Sequence, residues 1–310
     1  MNYLQLCNLT RQNCGISGSD LVTVAGQTGE MLRLTNWVNE AWMDLQTMRQ
    51  DWEWMRKSMT FTTVAHQIGY TPTQIGLTDF GMWSRDTFRN YANPIVTISI
   101  ASPGVVSLQG NLLNIGDGVT FYTTGSLPTG LTPGIQYYVI GTLAADTFKV
   151  STMPGGAAVV TSGSQSGVHT ITSTNTLAFM GLRTEIFMSY TDYDTWRNAY
   201  LYGALRQVNT RPIEITIGPD KSLLFGPVSD SGYTIVGDYY SVPSLMVNNT
   251  DTPSLPVKFH MAIVYKAMLA YGMYESAGEV MQRAQGESEK WMRRIFADQA
   301  SEIFAGGSLA

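Results

Sequence analysis

The residues able to do chemistry are few and scattered. His66, His169 and His260 are the three histidines, and none stands at ligand spacing from a cysteine or an acid. No HExxH, paired CxxC or Walker-type glycine loop occurs, so metal and phosphate-loop chemistry have no motif to rest on. Asp192 and Asp194 are the one carboxylate pair that could serve glycoside hydrolysis. They stand just before a helical run, where an N-cap with a solvated neighbour explains them more simply. Cys7 and Cys14 lie seven apart on a predicted helix, about 10 Å at helical rise, which is too far for a disulfide. They read as small buried hydrophobes in a reduced compartment. Gly15, Gly18, Gly26 and Gly29 lack the spacing of a phosphate motif. The expectation is therefore no catalytic residue, no metal and no cofactor.

Composition points towards assembly instead. Only 14% of the 310 residues are charged, while the chain holds 7 Trp, 16 Tyr and 16 Met. Ordinary chains carry nearly twice that share of charge, so uncharged polar groups, glycine or other subunits must cover the surface of this one. The net charge of −5 speaks against a general nucleic-acid binder. No basic leader followed by an apolar run opens the sequence, and no run of about 18 apolar residues predicts a membrane span.

The elements follow from periodicity. Residues 3–14 read as a short helix. In the stretch from Thr28 to Met55, Met31, Leu34, Val38, Ala41, Leu45 and Met48 recur at steps of three or four, the spacing of a helical stripe. Thr28 is placed to cap it and Glu30 suits its N-terminal dipole. Met59, Phe61 and Thr63 alternate as in a strand, and Phe80 to Arg89 reads as a turn followed by a strand. Residues 93–175 then hold one lysine, two aspartates, no arginine or glutamate and twelve glycines. Short β-branched runs alternate there with turn signals, the pattern of a small sandwich or barrel. A helix capped by Asp192 or Asp194 runs to Tyr202. Three strands near 213–217, 222–225 and 233–240 read as an antiparallel meander. Two apolar-striped segments, 256–274 and 279–296, read as a helical hairpin. Lys290, Arg293 and Arg294 form a basic cluster on its second arm, ahead of the apolar pair Ile303 and Phe304.

These elements predict an α+β chain: a helical-bundle parent domain, 1–92 with 176–310, carrying a small antiparallel β-meander at about 211–240. An all-β, sandwich- or barrel-like domain of 93–175 is inserted into it, as loop tips tolerate. The parent segments TGEMLRLTNWVNEAWMDLQTMRQDWEWMRKSMTF, DFGMWSRDTFRNY, YDTWRNAYLYG, RPIEITIGPDKSLLFGPV, YTIVGDYYSVP, DTPSLPVKFHMAIVYKAMLAYGMYE and MQRAQGESEKWMRRI resemble the head-to-tail adaptors of tailed bacteriophages, of podophage type. The insert departs from the plain adaptor pattern and looks like small β-modules of phage virion proteins.

The resemblance implies a structural virion protein at the head-tail interface, assembled in the host cytoplasm. It implies a homo-oligomeric ring of about twelve subunits beneath the portal, closed by head-to-tail contacts. Portal protein and tail nozzle or other tail proteins are its implied partners, and the insert is placed to touch the capsid. Genome DNA passes through without specific binding, and no membrane is involved. Portal docking falls on the C-terminal helix and tail, here Lys290, Trp291, Arg293, Arg294, Ile295, Phe296, Ile303 and Phe304. The alternative is an attachment subunit whose insert reads a host glycan or virion protein, with Phe121, Tyr122, Tyr137 and Tyr138 as stacking faces. A virion-borne cell-wall hydrolase using Asp192 and Asp194 is the third reading.

Overall fold

Helices gather at the two ends of the sequence and strands fill the middle. The computed structural model describes residues 1–144, 146–175, 177–179, 182 and 184–299. Its helices are α1 Tyr3–Cys14, α2 Gly29–Thr47, the one-turn α3 Pro72–Ile75 and α4 Tyr193–Trp196, then α5 Met261–Tyr274 and α6 Gly278–Asp298. Before the middle of the chain come β1 Arg56–Thr62, β2 Gly69–Tyr70 and β3 Phe80–Ala92. Next are β4 Ile95–Ile98, β5 Val106–Ser107, β6 Gly118–Thr123, β7 Gln136–Ala144, β8 Thr147–Ser151 and β9 His169–Ser173. The last are β10 Thr184–Phe187, β11 Ser189–Tyr190, β12 Glu214–Ile217, β13 Leu223–Gly226 and β14 Tyr233–Ser241. Among the described residues, no helix is long and apolar enough to cross a membrane.

One compact unit joins Met1–Lys57 to Tyr240–Ala310, and it holds the long helices. A capping box between Asn2 and Gln5 starts α1, and Gly15, left-handed at φ 72°, ends it. On α2 the residues Leu34, Val38, Ala41, Trp42 and Leu45 are buried, the stripe that the spacing predicts. Thr28 is the N-cap residue, but its side chain makes no capping bond, and Met48 closes the helix at the surface. The chain then folds back through Trp52, fully buried, whose indole N–H donates to the Leu45 carbonyl at 2.8 Å. Helix α5 buries Ala262, Ile263, Val264, Ala267, Met268 and Gly272. A Cβ on Gly272 would sit 3.1–3.2 Å from Met281, so glycine sets the close approach of α5 and α6. Cys7 and Cys14 are buried and unbridged, and burial pushes both thiols up to about 12.

The other unit, Ser58–Tyr239, contains two four-stranded sheets and a barrel. The sheets run β1-β14-β3-β10 and β11-β12-β13-β2, and the barrel closes as β4-β5-β8-β7-β6-β9. Aromatic and β-branched residues dominate both cores, as strand packing favours. Trp83, Phe88, Phe225, Ile235 and Tyr239 lie among the sheets. Val96, Phe121, Val139, Phe148 and Ile171 fill the barrel.

The helical-bundle parent domain predicted from sequence is therefore corrected. Outside the barrel, the stretch from Ser58 to Tyr239 is mainly sheet, and the fold is mixed. The three-stranded meander is also absent. Strands β12 and β13 form an antiparallel hairpin, Ile215 opposite Phe225, but β13 then pairs with β2, Leu223 opposite Tyr70. Strand β14 leaves for the other sheet, between β1 and β3. Such partners lie more than 130 residues away in sequence, and local periodicity carries no information about them.

Two outcomes follow from the helical unit. Trp52→Ala removes a fully buried ring and its hydrogen bond, and lowers stability by about 3–5 kcal/mol in urea titration. His260 is buried, accepting at Nδ1 from the Met1 nitrogen at 2.8 Å and donating from Nε2 to the Leu255 carbonyl at 2.9 Å. Burial holds its pKa below the usual 6.5. On acidification the unfolded chain takes up this proton first. The stabilising contribution is thus complete above pH 6.5 and declines through the window beneath it. His169 in the barrel, also depressed by burial, acts in the same direction. Denaturant midpoints measured at about pH 7.5 and about pH 5.5 should fall on acidification, and His260→Gln should flatten the fall.

Candidate docking surface

Helix α6 owes its orientation to a narrow apolar stripe. Ala284, Ser288 and Ile295 are buried at helical spacing, with Trp291 and Met292 half-buried against the same core. Gly272 and Met281 bring it against α5, and Gln299 tethers its end by accepting from the Glu53 N–H at 3.1 Å. Lys258 pairs with Asp298 at the last turn and holds that carboxyl below the usual range.

Half of the predicted docking residues lie off that stripe. Lys290, Arg293 and Arg294 are exposed. Lys290 Nζ lies 3.2 Å from Glu287, one turn back, and the Arg294 guanidinium stands 4.9 Å over the Trp291 ring. Phe296 is 42% exposed, and its ring centroid lies 5.5 Å from Trp52, which stacks on Trp54 at 4.2 Å. Ile295 points the other way and has no exposed surface. Its contribution is to hold the helix rather than to meet a partner directly. Ile303 and Phe304 lie outside the described residues.

A second patch on this unit escaped sequence reasoning. Met273 and Tyr274 at the end of α5 are 69% and 56% exposed. Arg33 stands 4.7 Å over the Tyr274 ring, and Trp37 packs on that ring at 5.5 Å. The available signal was α5 itself, which is apolar on nearly every side. A helix of that kind has more apolar faces than one core can cover.

The chemistry-bearing residues are used structurally. Asp192 Oδ1 accepts from the Asp194 and Thr195 N–H groups and caps α4. Its bonds to Thr195, side chain first, hold its carboxyl below the usual range. Asp194 pairs with Arg197 at 3.1 Å. His169 bonds Thr123 and Gln165 inside the barrel region, while His260 belongs to the helical core. Among the described residues, no three His, Cys, Asp or Glu side chains are grouped to hold a metal. A shallow cleft beside Trp196, lined by Ile68, Pro219, Asp220 and Leu224, has Asp220 committed to Ser222 at 2.6 Å. Of the aromatic residues named for glycan stacking, Phe121 and Tyr137 are buried in the barrel core and Tyr122 and Tyr138 are half-buried.

No curated protein matches the chain significantly. Residues 167–305 match the family model described as SU10 adaptor protein. That stretch runs from just before β9 through α6 and includes the exposed basic face. The similarity supports a phage adaptor, a structural component of the virion that contacts other head or tail proteins, and with it a non-enzymatic role.

Proposed function

We propose that this protein is a head-to-tail adaptor that forms a ring beneath the portal, joins portal to tail and continues the DNA channel. The exposed face of α6 carries the reading. Lys290, Arg293, Arg294 and Phe296 present cations beside an aromatic surface, within the adaptor-like stretch. Arginine and aromatic side chains are enriched where interfaces bind tightly. Portal subunits are the partner for this face, together with Ile303 and Phe304 in the segment that follows α6. A net charge of −5 suits a conduit that DNA must slide through, because strong phosphate contacts would retain it. Tail nozzle and capsid contacts belong to the remaining surfaces.

Light scattering of the purified chain with and without portal is the primary test. A ring-sized complex on portal addition supports the proposal, and no association of well-folded protein with portal overturns it. Deleting Ile303 to Ala310 should leave a folded protein that no longer binds portal; normal binding by this truncation removes the tail from the docking surface. Arg293→Glu with Arg294→Glu should weaken portal binding by on the order of tenfold to a hundredfold, with stability changed by less than about 0.5 kcal/mol. Ile295→Ala should instead lower stability by about 2–4 kcal/mol, which thermal melts distinguish from a binding defect.

A further inference from the structure

The residues after α4 form a knob that packs on nothing. The chain passes through one π turn, Arg197–Leu201, and then a 3-10 turn, Ala204–Gln207. From Ala204 to Thr210 every residue is exposed. Tyr202, Leu205 and Val208 are 72%, 41% and 38% exposed. Val208 N–H donates to the Leu205 carbonyl at 3.0 Å, which sets those two residues one turn apart. Arg206 lies between them in the chain, exposed and without an acid partner among the described residues. Both ends of the knob are pinned. A Cβ on Gly203 would lie 2.4 Å from the Asn198 carbonyl oxygen, and Thr210 N–H donates to the Val228 carbonyl at 2.9 Å. The knob is thus ordered before any partner arrives, which lowers the entropy cost of docking it.

Leu201, the residue before the knob, lines the cleft beside Trp196, together with Ile68, Tyr193, Leu224 and Asp220. The cleft holds about 360 Å³, at the small end of the range for ligand sites, about 300–1,000 Å³, and suits one or two side chains. Trp196 has no exposed surface, and its indole N–H has no acceptor among the described residues. An unmet buried donor is costly, so an occupant that brings an acceptor is favoured. Asp220 supplies the cleft's carboxylate. Ser222 donates to its Oδ1 from the hydroxyl at 2.6 Å and from N–H at 3.1 Å, which leaves Oδ2 to a further partner. These bonds hold the carboxyl below the usual range, so it is charged at neutral pH. The charges around it are engaged elsewhere. Lys221 Nζ lies 3.3 Å from the Gly81 carbonyl, Asp194 pairs with Arg197, and Asp192 caps α4.

We propose that the knob of one copy of this chain seats in the cleft of the next, with Arg206 meeting Asp220 and with Tyr202, Leu205 and Val208 covering the apolar wall. A free cation among apolar groups is complementary to a carboxylate among apolar groups, and every copy carries both halves. The pinned ends hold the knob off the cleft of its own chain, where its three apolar residues stay exposed. The seat is therefore filled by another copy. Knob and cleft are unlike surfaces, so the contact is heterologous, the kind that closes into rings. The inference rests on the ring reading for its place in the particle.

The test uses the full chain in a sedimentation-velocity concentration series into the hundred-micromolar range. The knob variant is Arg206→Glu and the cleft variant is Asp220→Lys. Both side chains are exposed, and circular dichroism with thermal melts verifies folding. Wild-type mean mass should rise with concentration. Each variant alone sets like charges against each other, and its association should weaken by on the order of a hundredfold. In an equimolar mixture of the two variants, every contact between unlike copies pairs opposite charges again, so mean mass should rise as in the wild type. Tyr202→Ala leaves the charges in place and should weaken association by on the order of tenfold. A wild type that is monomeric throughout overturns the proposal. So does a mixture that stays monomeric, or an Arg206→Glu chain that associates as the wild type does. Portal binding of both variants, measured in parallel, reports on the adaptor reading independently of this contact.

Discussion

The pairing of β3 with β10 is the constraint on which the sheet-and-barrel unit depends. Ala92 stands opposite Thr184 at the end of that antiparallel ladder, and all six barrel strands lie between those two residues in sequence. The ladder fixes the points where the chain enters and leaves the barrel region. Arg211 reinforces it by donating to the Asn90 and Thr184 carbonyls at 2.6 Å each, and Arg89 pairs with Glu185 across the same strands. Asn93 reaches the Gly232 carbonyl at 2.5 Å. A long excursion costs little further closure entropy once its ends are held, so a self-contained barrel can be carried there without disturbing the sheet.

The helical unit depends on a different device, aromatic packing around a turn. Trp52 closes the end of α2, stacks on Trp54 and meets Phe296 of α6. The same cluster that stabilises the core thus also supports the edge of the exposed basic face. Arg11, buried beneath the loop after α1, holds that loop through the Ile16 and Gly18 carbonyls and Asp20. Charge is used sparingly in this protein, and several of its charged side chains bind its own backbone.

Burial separates the two kinds of residue on α6. Ile295 and Arg294 are neighbours in sequence, yet one is sealed in the core and the other is free to meet a partner. A cluster of basic and apolar residues read along the chain mixes these roles. The helix rotates successive residues by about 100° and assigns them to opposite faces.

Local pattern by itself determined the helical stripes of α2 and α6, an aspartate cap on α4 at Asp192 or Asp194, the unbridged cysteines and the charge-poor β-rich middle of the chain. Each follows from residue type and short spacing, through propensity, hydrogen-bonding capacity and period. Tertiary structure alone decided which strands are partners. Strand β14 joins β1 and β3 rather than following β13, and β13 takes β2 as its neighbour. It also decided that Met48 lies at the surface, and that the exposed aromatic patch of α5 centres on Tyr274. Alternation tells a strand which face to bury, but its hydrogen-bonding edges are chemically alike in every strand. The choice of partner is therefore made by long-range packing of the faces, which sequence period does not encode.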